Sequence, residues 1–146
     1  MIRSFDEYVR EGIVVQRTAD HPRAEALRTD AVRSFEVVEA IRSSIGITDH
    51  NANIIVKLAY DVVMSSIRAH MGACGFHASG RGAHEAEVAY LRMLGFGDAD
   101  VVFCDRLRYY RNGIMYYGKN FGAEYARTTI AFASRMLEAL HKDKCL

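Results

Sequence analysis

The chain has 146 residues, of which 50% are apolar and 25% are charged, and it contains a single proline. This length and apolar content predict one folded domain over residues 1–146 and exclude an intrinsically disordered chain. The net charge of +1 argues against the strongly basic surface of many nucleic-acid-binding or membrane-binding proteins. Abundant alanine and scarce proline favour helix, so the predicted fold class is all-α.

Six helices are predicted in chain order, at approximately residues 4–17, 22–45, 49–71, 83–94, 98–116 and 122–142. Ser4 and Glu7 have the spacing of a capping box, and Pro22 suits a first helical turn. Several glycines interrupt the pattern between the third and fourth helices, and glycine is costly inside a helix. A flexible loop is therefore predicted over about 72–82.

The cysteines and the hydropathy pattern indicate in which compartment of the cell the protein is expected. Cys74, Cys104 and Cys145 are odd in number and form no CxxC pair, so neither a disulfide framework nor a zinc site is indicated. No stretch approaches the ~18 apolar residues of a membrane span or resembles a signal peptide. We therefore expect a soluble cytoplasmic protein without a membrane partner, in which Cys104 is a packing residue.

The segment from residue 105 to residue 118 contains most of the candidate chemistry. On a regular helix Asp105, Arg108, Asn112 and Tyr116 line one polar stripe, and Arg111 lies beside it. Two arginines flanking an amide and a phenol can bind a phosphate or a base edge. The alternative is an ordinary solvated helix face with one Asp–Arg ion pair.

The run Arg111-Asn112-Gly-Ile-Met-Tyr116, preceded by Asp105-Arg-Leu-Arg108, resembles the signature of the HEPN family of small helical domains. The order of long helices, glycine-rich stretch, short helix and final alanine-rich helix extends the resemblance over about residues 20–142. It implies an antiparallel helical bundle that forms a homodimer, with the motif helices facing each other across a two-fold axis. It also implies metal-independent RNA cleavage without a cofactor in many members.

The family motif pairs its arginine with a histidine four to six residues later. Arg111 matches the arginine and Asn112 the polar residue after it, but Tyr116 stands where the histidine is expected. A phenol with a pKa near 10 is a poor general base, although it can hold a phosphate or act as a weak acid. Residues five apart on a helix diverge, so Arg111 and Tyr116 converge on one ligand most simply across a dimer.

Three functions remain open. The resemblance and the missing histidine favour a dimeric protein that binds RNA or nucleotide and is catalytically weak or inactive. The first alternative is an active, metal-independent, toxin-like endoribonuclease that uses Arg111, Asn112 and Tyr116. The second alternative is a structural helical dimer without a nucleic-acid role.

The tyrosines and neighbouring charges complete the candidate site. Asp105, Arg108, Tyr109 and Tyr117 are ligand-binding candidates. Tyr117 also shares an apolar face with Tyr110, which favours packing for that pair. Some HEPN proteins pair with a minimal nucleotidyltransferase that modifies a tyrosine near the motif. The resemblance thus implies a toxin–antitoxin component with such a partner, and Tyr116 or Tyr117 as its target.

The histidines offer a further interpretation. His70, His77 and His84 recur every seven residues, but glycines interrupt the helix that would align them, so no metal site is predicted. His84 can act as the general base in place of the histidine that the motif lacks, but only if the glycine-rich stretch folds over the motif helix. Otherwise these histidines are capping or solvent-exposed groups.

Overall fold

The computed structural model describes residues 2–117, 120–142 and 145, with the backbone alone at 114–117. The predicted all-α helical bundle is confirmed, with the addition of two short strands. In chain order the elements are α1 (Phe5–Arg10), β1 (Val14–Gln16), α2 (His21–Ser44), α3 (Ala52–Ala73), β2 (Phe76–Ala78), α4 (Ala83–Met93), α5 (Asp98–Tyr117) and α6 (Ala123–Lys142).

Helix α3 is the centre of the bundle. Most of its residues are buried, including Ile55, Val63 and Ile67, because α2 and α6 pack along it and α4 and α5 cover another side. A helix that is apolar around much of its circumference belongs in such a central position. Within the described residues no helix combines the length and apolar character needed to cross a membrane.

The predicted helix starts are confirmed at α1 and α2. The Glu7 carboxylate accepts hydrogen bonds from the Ser4 backbone amide at 3.0 Å and from its hydroxyl at 3.2 Å. Asp20 accepts from the backbone amide of Arg23 at 3.1 Å, with Pro22 in the first turn of α2. Each contact satisfies polar groups that a helix start leaves unpaired.

Two expectations near the N-terminus and the glycine-rich stretch were wrong. The first helix ends at Arg10 instead of about Arg17, and Gly12 then adopts φ +76°. Residues 14–16 form β1, which pairs antiparallel with β2, so the predicted flexible loop contains a strand. The β-branched pair Val14-Val15 suits a strand, and its partner lies more than sixty residues later, which local periodicity cannot reveal.

The cysteine pairing also differs from the expectation. Cys74 and Cys145 form a disulfide across a sequence separation of 71 residues, because the chain after α6 returns to the end of α3. Without a local spacing motif the sequence carries no sign of this bond. Cys104 is a free thiol that is fully buried in the core, as its predicted packing role requires.

Candidate functional site

The predicted polar stripe on α5 begins with an ion pair. Both Nε and Nη2 of Arg108 donate to Asp105 Oδ1, at 3.0 and 2.9 Å. The same Nη2 lies 3.9 Å from Glu85 on α4. Arg108 is thus already paired with carboxylates, chiefly with Asp105 of its own helix and more distantly with Glu85 on α4.

Arg111 is held differently, beside α3. Its Nη2 lies 3.7 Å from Asp61 Oδ1, beyond hydrogen-bond distance, and its Cζ is 5.8 Å from the centroid of the Tyr60 ring. Its Nε is buried and has no hydrogen-bond partner among the described residues. Nη2 is therefore a donor without a close acceptor, which an incoming anion can occupy, whereas the buried Nε is out of reach of such an anion.

Arg111 lines an open cavity of about 380 Å³, which we call the Arg111 pocket. Its walls come from α2, α3, β2, α4 and α5, so five elements converge on it. The lining residues are Arg23, Tyr60, Asp61, Arg68, Ala78, Ala83, His84, Glu87 and Arg111. Three arginines from three helices thus meet in one pocket of a nearly neutral protein.

His84 lies at this pocket because it is in the first turn of α4, which packs against both α3 and α5. The exposed imidazole lies with Nδ1 3.4 Å from the hydroxyl of Tyr60, which is only 3% exposed. Burial raises the pKa of Tyr60 above its ordinary value, so the phenol stays protonated and can donate to His84. His84 and Arg111 therefore line the same pocket, although within the described residues the glycine-rich stretch packs on β1, α3 and α4 and not on α5.

Arg68 and Glu87 form the fixed wall of the pocket. Arg68 donates to the two Glu87 carboxylate oxygens from Nε at 2.6 Å and from Nη2 at 3.2 Å, and Glu87 is 5% exposed. Burial alone lowers the pKa of Arg68, but the hydrogen bonds and charge of Glu87 outweigh it and raise that pKa. A bidentate pair of this kind holds its side chains in one geometry.

The other predicted site residues whose side chains the structure describes do not line the pocket. Asn112 is half-buried on α5 and does not line the pocket. Tyr109 is 66% exposed. Tyr110 packs against Phe121 with ring centroids 5.1 Å apart, as predicted. The side chains of Tyr116 and Tyr117 lie outside the described residues.

A second, smaller cavity adjoins the first, and we call it the inner cavity. It has a volume of about 170 Å³ and lies between the chain around Arg17–Arg23 and the chain from α3 to β2. It shares Arg23, Arg68, Ala78 and Glu87 with the Arg111 pocket. The two cavities are therefore neighbours that share one wall.

The residues that sequence reasoning missed are Arg23, Tyr60, Asp61 and Arg68. They lie on α2 and α3, far along the chain from the motif, and no local pattern marks them. Among the residues that the structure describes, no group of three or more His, Cys, Asp or Glu side chains is placed to hold a metal ion.

Comparisons of the chain with models of known protein families, with curated proteins and with solved structures found no match.

Proposed function

We propose that this protein binds RNA or a ribonucleotide through a phosphate held in the Arg111 pocket. The observation that carries the proposal is the convergence of Arg23, Arg68 and Arg111, from three separate helices, on one open cavity. Guanidinium groups match phosphate oxygens with paired, charge-assisted hydrogen bonds.

The three arginines differ in how free they are to bind. Arg68 is committed to Glu87, whereas Arg23 forms no ion pair within the described residues. Arg111 has only the distant contact with Asp61. Arg23 and Arg111 are therefore the residues that take up the phosphate, and Arg68 supplies a fixed positive wall.

Titration of a fluorescent single-stranded oligoribonucleotide tests the binding. We expect Arg111→Ala to weaken binding about tenfold or more, since a charge-assisted hydrogen bond is lost. Arg127→Ala is the matched control, because Arg127 is an exposed arginine on α6 that lines neither the pocket nor the proposed dimer face. Equal effects of the two variants, or no binding at low salt, would contradict the proposal.

RNA cleavage is a second candidate function, favoured by the position of His84 beside Arg111. Histidine is the side chain that exchanges protons most readily near neutral pH. In this reaction His84 takes the 2′-hydroxyl proton, the 2′ oxygen attacks phosphorus, and the bond from phosphorus to the 5′ oxygen breaks. The 5′ oxygen takes a proton from water, which leaves a 2′,3′-cyclic phosphate and a 5′-hydroxyl, while Arg111 stabilises the phosphoryl charge.

Incubation with structured RNA in EDTA distinguishes cleavage from binding alone. Cleavage that is lost in both Arg111→Ala and His84→Gln, and kept in His50→Gln, supports the enzyme; His50 is an exposed histidine outside both cavities. Tyr116→Phe tests the separate role that the family motif gives to position 116. Absence of cleavage at micromolar wild-type protein, with binding retained, leaves the binding function alone.

We further propose that two copies of the chain pair through the outer side of α5. Val102 and Tyr109 lie two helical turns apart on one face and are 45% and 66% exposed. Sedimentation at tens of micromolar protein is expected to give a dimer for the wild type and a monomer for Tyr109→Glu. A monomeric wild type contradicts this pairing.

A further inference from the structure

The inner cavity has the size of a single ring system. Its volume of about 170 Å³ is close to the roughly 150 Å³ of a protein cavity that accommodates benzene. The cavity is closed where the chain between β1 and α2 meets the end of α3. There Arg17 donates its backbone amide to Gly75 O at 2.6 Å, and Asp20 donates to Gly72 O at 3.1 Å.

The lining of this cavity is half apolar and half polar. Met71, Phe76 and Ala78 supply apolar surface. The polar part comes from Thr18 and Asp20, together with the charged side chains at the rim and the shared wall, which are Arg17, Arg23, Arg68 and Glu87. One Asp20 oxygen accepts from the Arg23 amide, and the other has no hydrogen-bond partner among the described residues. A flat heteroaromatic ring, which has apolar faces and polar edges, matches this division.

The position of the inner cavity beside the Arg111 pocket indicates which kind of ring it binds. The inner cavity and the Arg111 pocket have the Arg68–Glu87 wall in common, so the two cavities are adjacent. In a nucleotide, one sugar joins the base to the phosphate. We infer that the inner cavity binds the base of the nucleotide whose phosphate lies in the Arg111 pocket, an inference that rests on the proposed function.

Calorimetric titration of the full, oxidised chain with the four ribonucleoside monophosphates and with ribose 5-phosphate tests this inference. We expect at least one nucleotide to bind about tenfold or more tightly than ribose 5-phosphate, because ring contacts add affinity. Gly72→Leu should remove that difference. Gly72 lines the cavity, and a Cβ there would meet no atom within 4 Å, so the position has room for the start of a side chain and we expect the leucine to extend into the cavity.

The matched control is Gly97→Leu, since Gly97 lies outside the cavity and its Cβ likewise meets nothing within 4 Å. This variant should keep the wild-type preference. Asp20→Asn is a second variant that keeps the helix cap while changing a base-edge contact, and it should reduce the preference.

The outcomes separate the two proposals. If nucleotides and ribose 5-phosphate bind equally well, or if Gly72→Leu keeps the preference, the base does not occupy the inner cavity and phosphate binding stands. If neither class of ligand binds, phosphate binding itself is wrong, and the inference fails with it.

Discussion

In the proposed phosphate site, Asp61 is the carboxylate that competes with a ligand for Arg111. Its carboxylate lies 3.7 Å from the guanidinium and competes with any incoming anion. Burial raises the pKa of Asp61, and the charge of Arg111 opposes that shift only in part. Asp61 consequently takes up a proton at a higher pH than an ordinary aspartate, and the neutral acid no longer attracts Arg111.

Replacement of this carboxylate should tighten binding. We expect Asp61→Asn to raise the affinity for a ribodinucleotide several-fold at neutral pH, since a competing charge is removed. As the pH falls from neutral, wild-type binding should tighten toward that of the variant, because Asp61 becomes neutral. A phosphodiester ligand keeps its charge over this range, and histidine protonation affects both proteins. If the dinucleotide affinities of the wild type and of Asp61→Asn change in parallel with pH, Asp61 does not compete with the ligand for Arg111.

Cys104 provides a second prediction at the residue scale. Burial raises its pKa to about 12, so the reactive thiolate is absent from the native protein at pH 9. Iodoacetamide should label no cysteine in the native oxidised protein, one in urea, and three in urea with reductant, as read by mass spectrometry. Since the unfolded thiol loses its proton first, the stabilising contribution of Cys104 declines as pH rises toward 12.

The motif identified only part of the site. Arg111 could be selected from the sequence because arginine, asparagine and tyrosine cluster on one predicted helix. Tyr60 could not, and His84 was only a conditional candidate, because the packing of α3 and α4 against α5 is what brings both to Arg111. Arg108 was selected by the same local pattern, yet it is balanced by Asp105 and Glu85.

At the scale of elements, the two-stranded sheet is what closes the inner cavity. The pairing of β1 with β2 brings the chain before α2 against the end of α3. Gly75 makes this approach possible, since it has φ +84° and a Cβ there would lie 2.4 Å from Arg17 O. No other residue type fits that position without moving the backbone.

We expect Gly75→Ala to destabilise the protein by more than the usual cost of a left-handed residue. Gly80→Ala is the control, because Gly80 has φ +76° and open space around its Cβ, so it incurs only the conformational cost of about 1–2 kcal/mol. Gly75→Ala should lose about 1 kcal/mol or more in addition, as the Arg17 hydrogen bond breaks. Urea unfolding measures both, and equal losses would contradict the close approach.

The same elements show how far local pattern predicts this fold. Helices α2, α4 and α6 follow from capping residues, proline and apolar spacing, and they lie within two residues of their predicted bounds. The strands do not follow, because each has only three residues and is stabilised by the other across the fold. Glycines that suggested flexibility in fact make tight turns, as at Gly75.

At the scale of the whole molecule, the Cys74–Cys145 disulfide connects the end of the central helix to the chain beyond α6. It closes a loop that contains β2, α4, α5 and α6, so it constrains half of the protein in the unfolded state. Chain entropy predicts that such a bond contributes up to about 4 kcal/mol of stability.

We therefore expect reduction to lower the free energy of unfolding by up to about 4 kcal/mol. Cys145→Ser should show the same loss under oxidising conditions and no further loss when reductant is added. Urea unfolding with and without reductant measures both effects. An equal stability of the oxidised and reduced wild type would mean that the bond does not constrain the unfolded chain.

The long-range pairing of Val14 with Ala78 also sets an order in time. Neighbouring helices such as α2 and α3 meet after closing a short loop, whereas the strands must wait until a large part of the chain has collapsed. During refolding, helical signal should thus return before nucleotide binding does. A newly made chain would form its helices first and complete the inner cavity only after its N-terminal segment has docked.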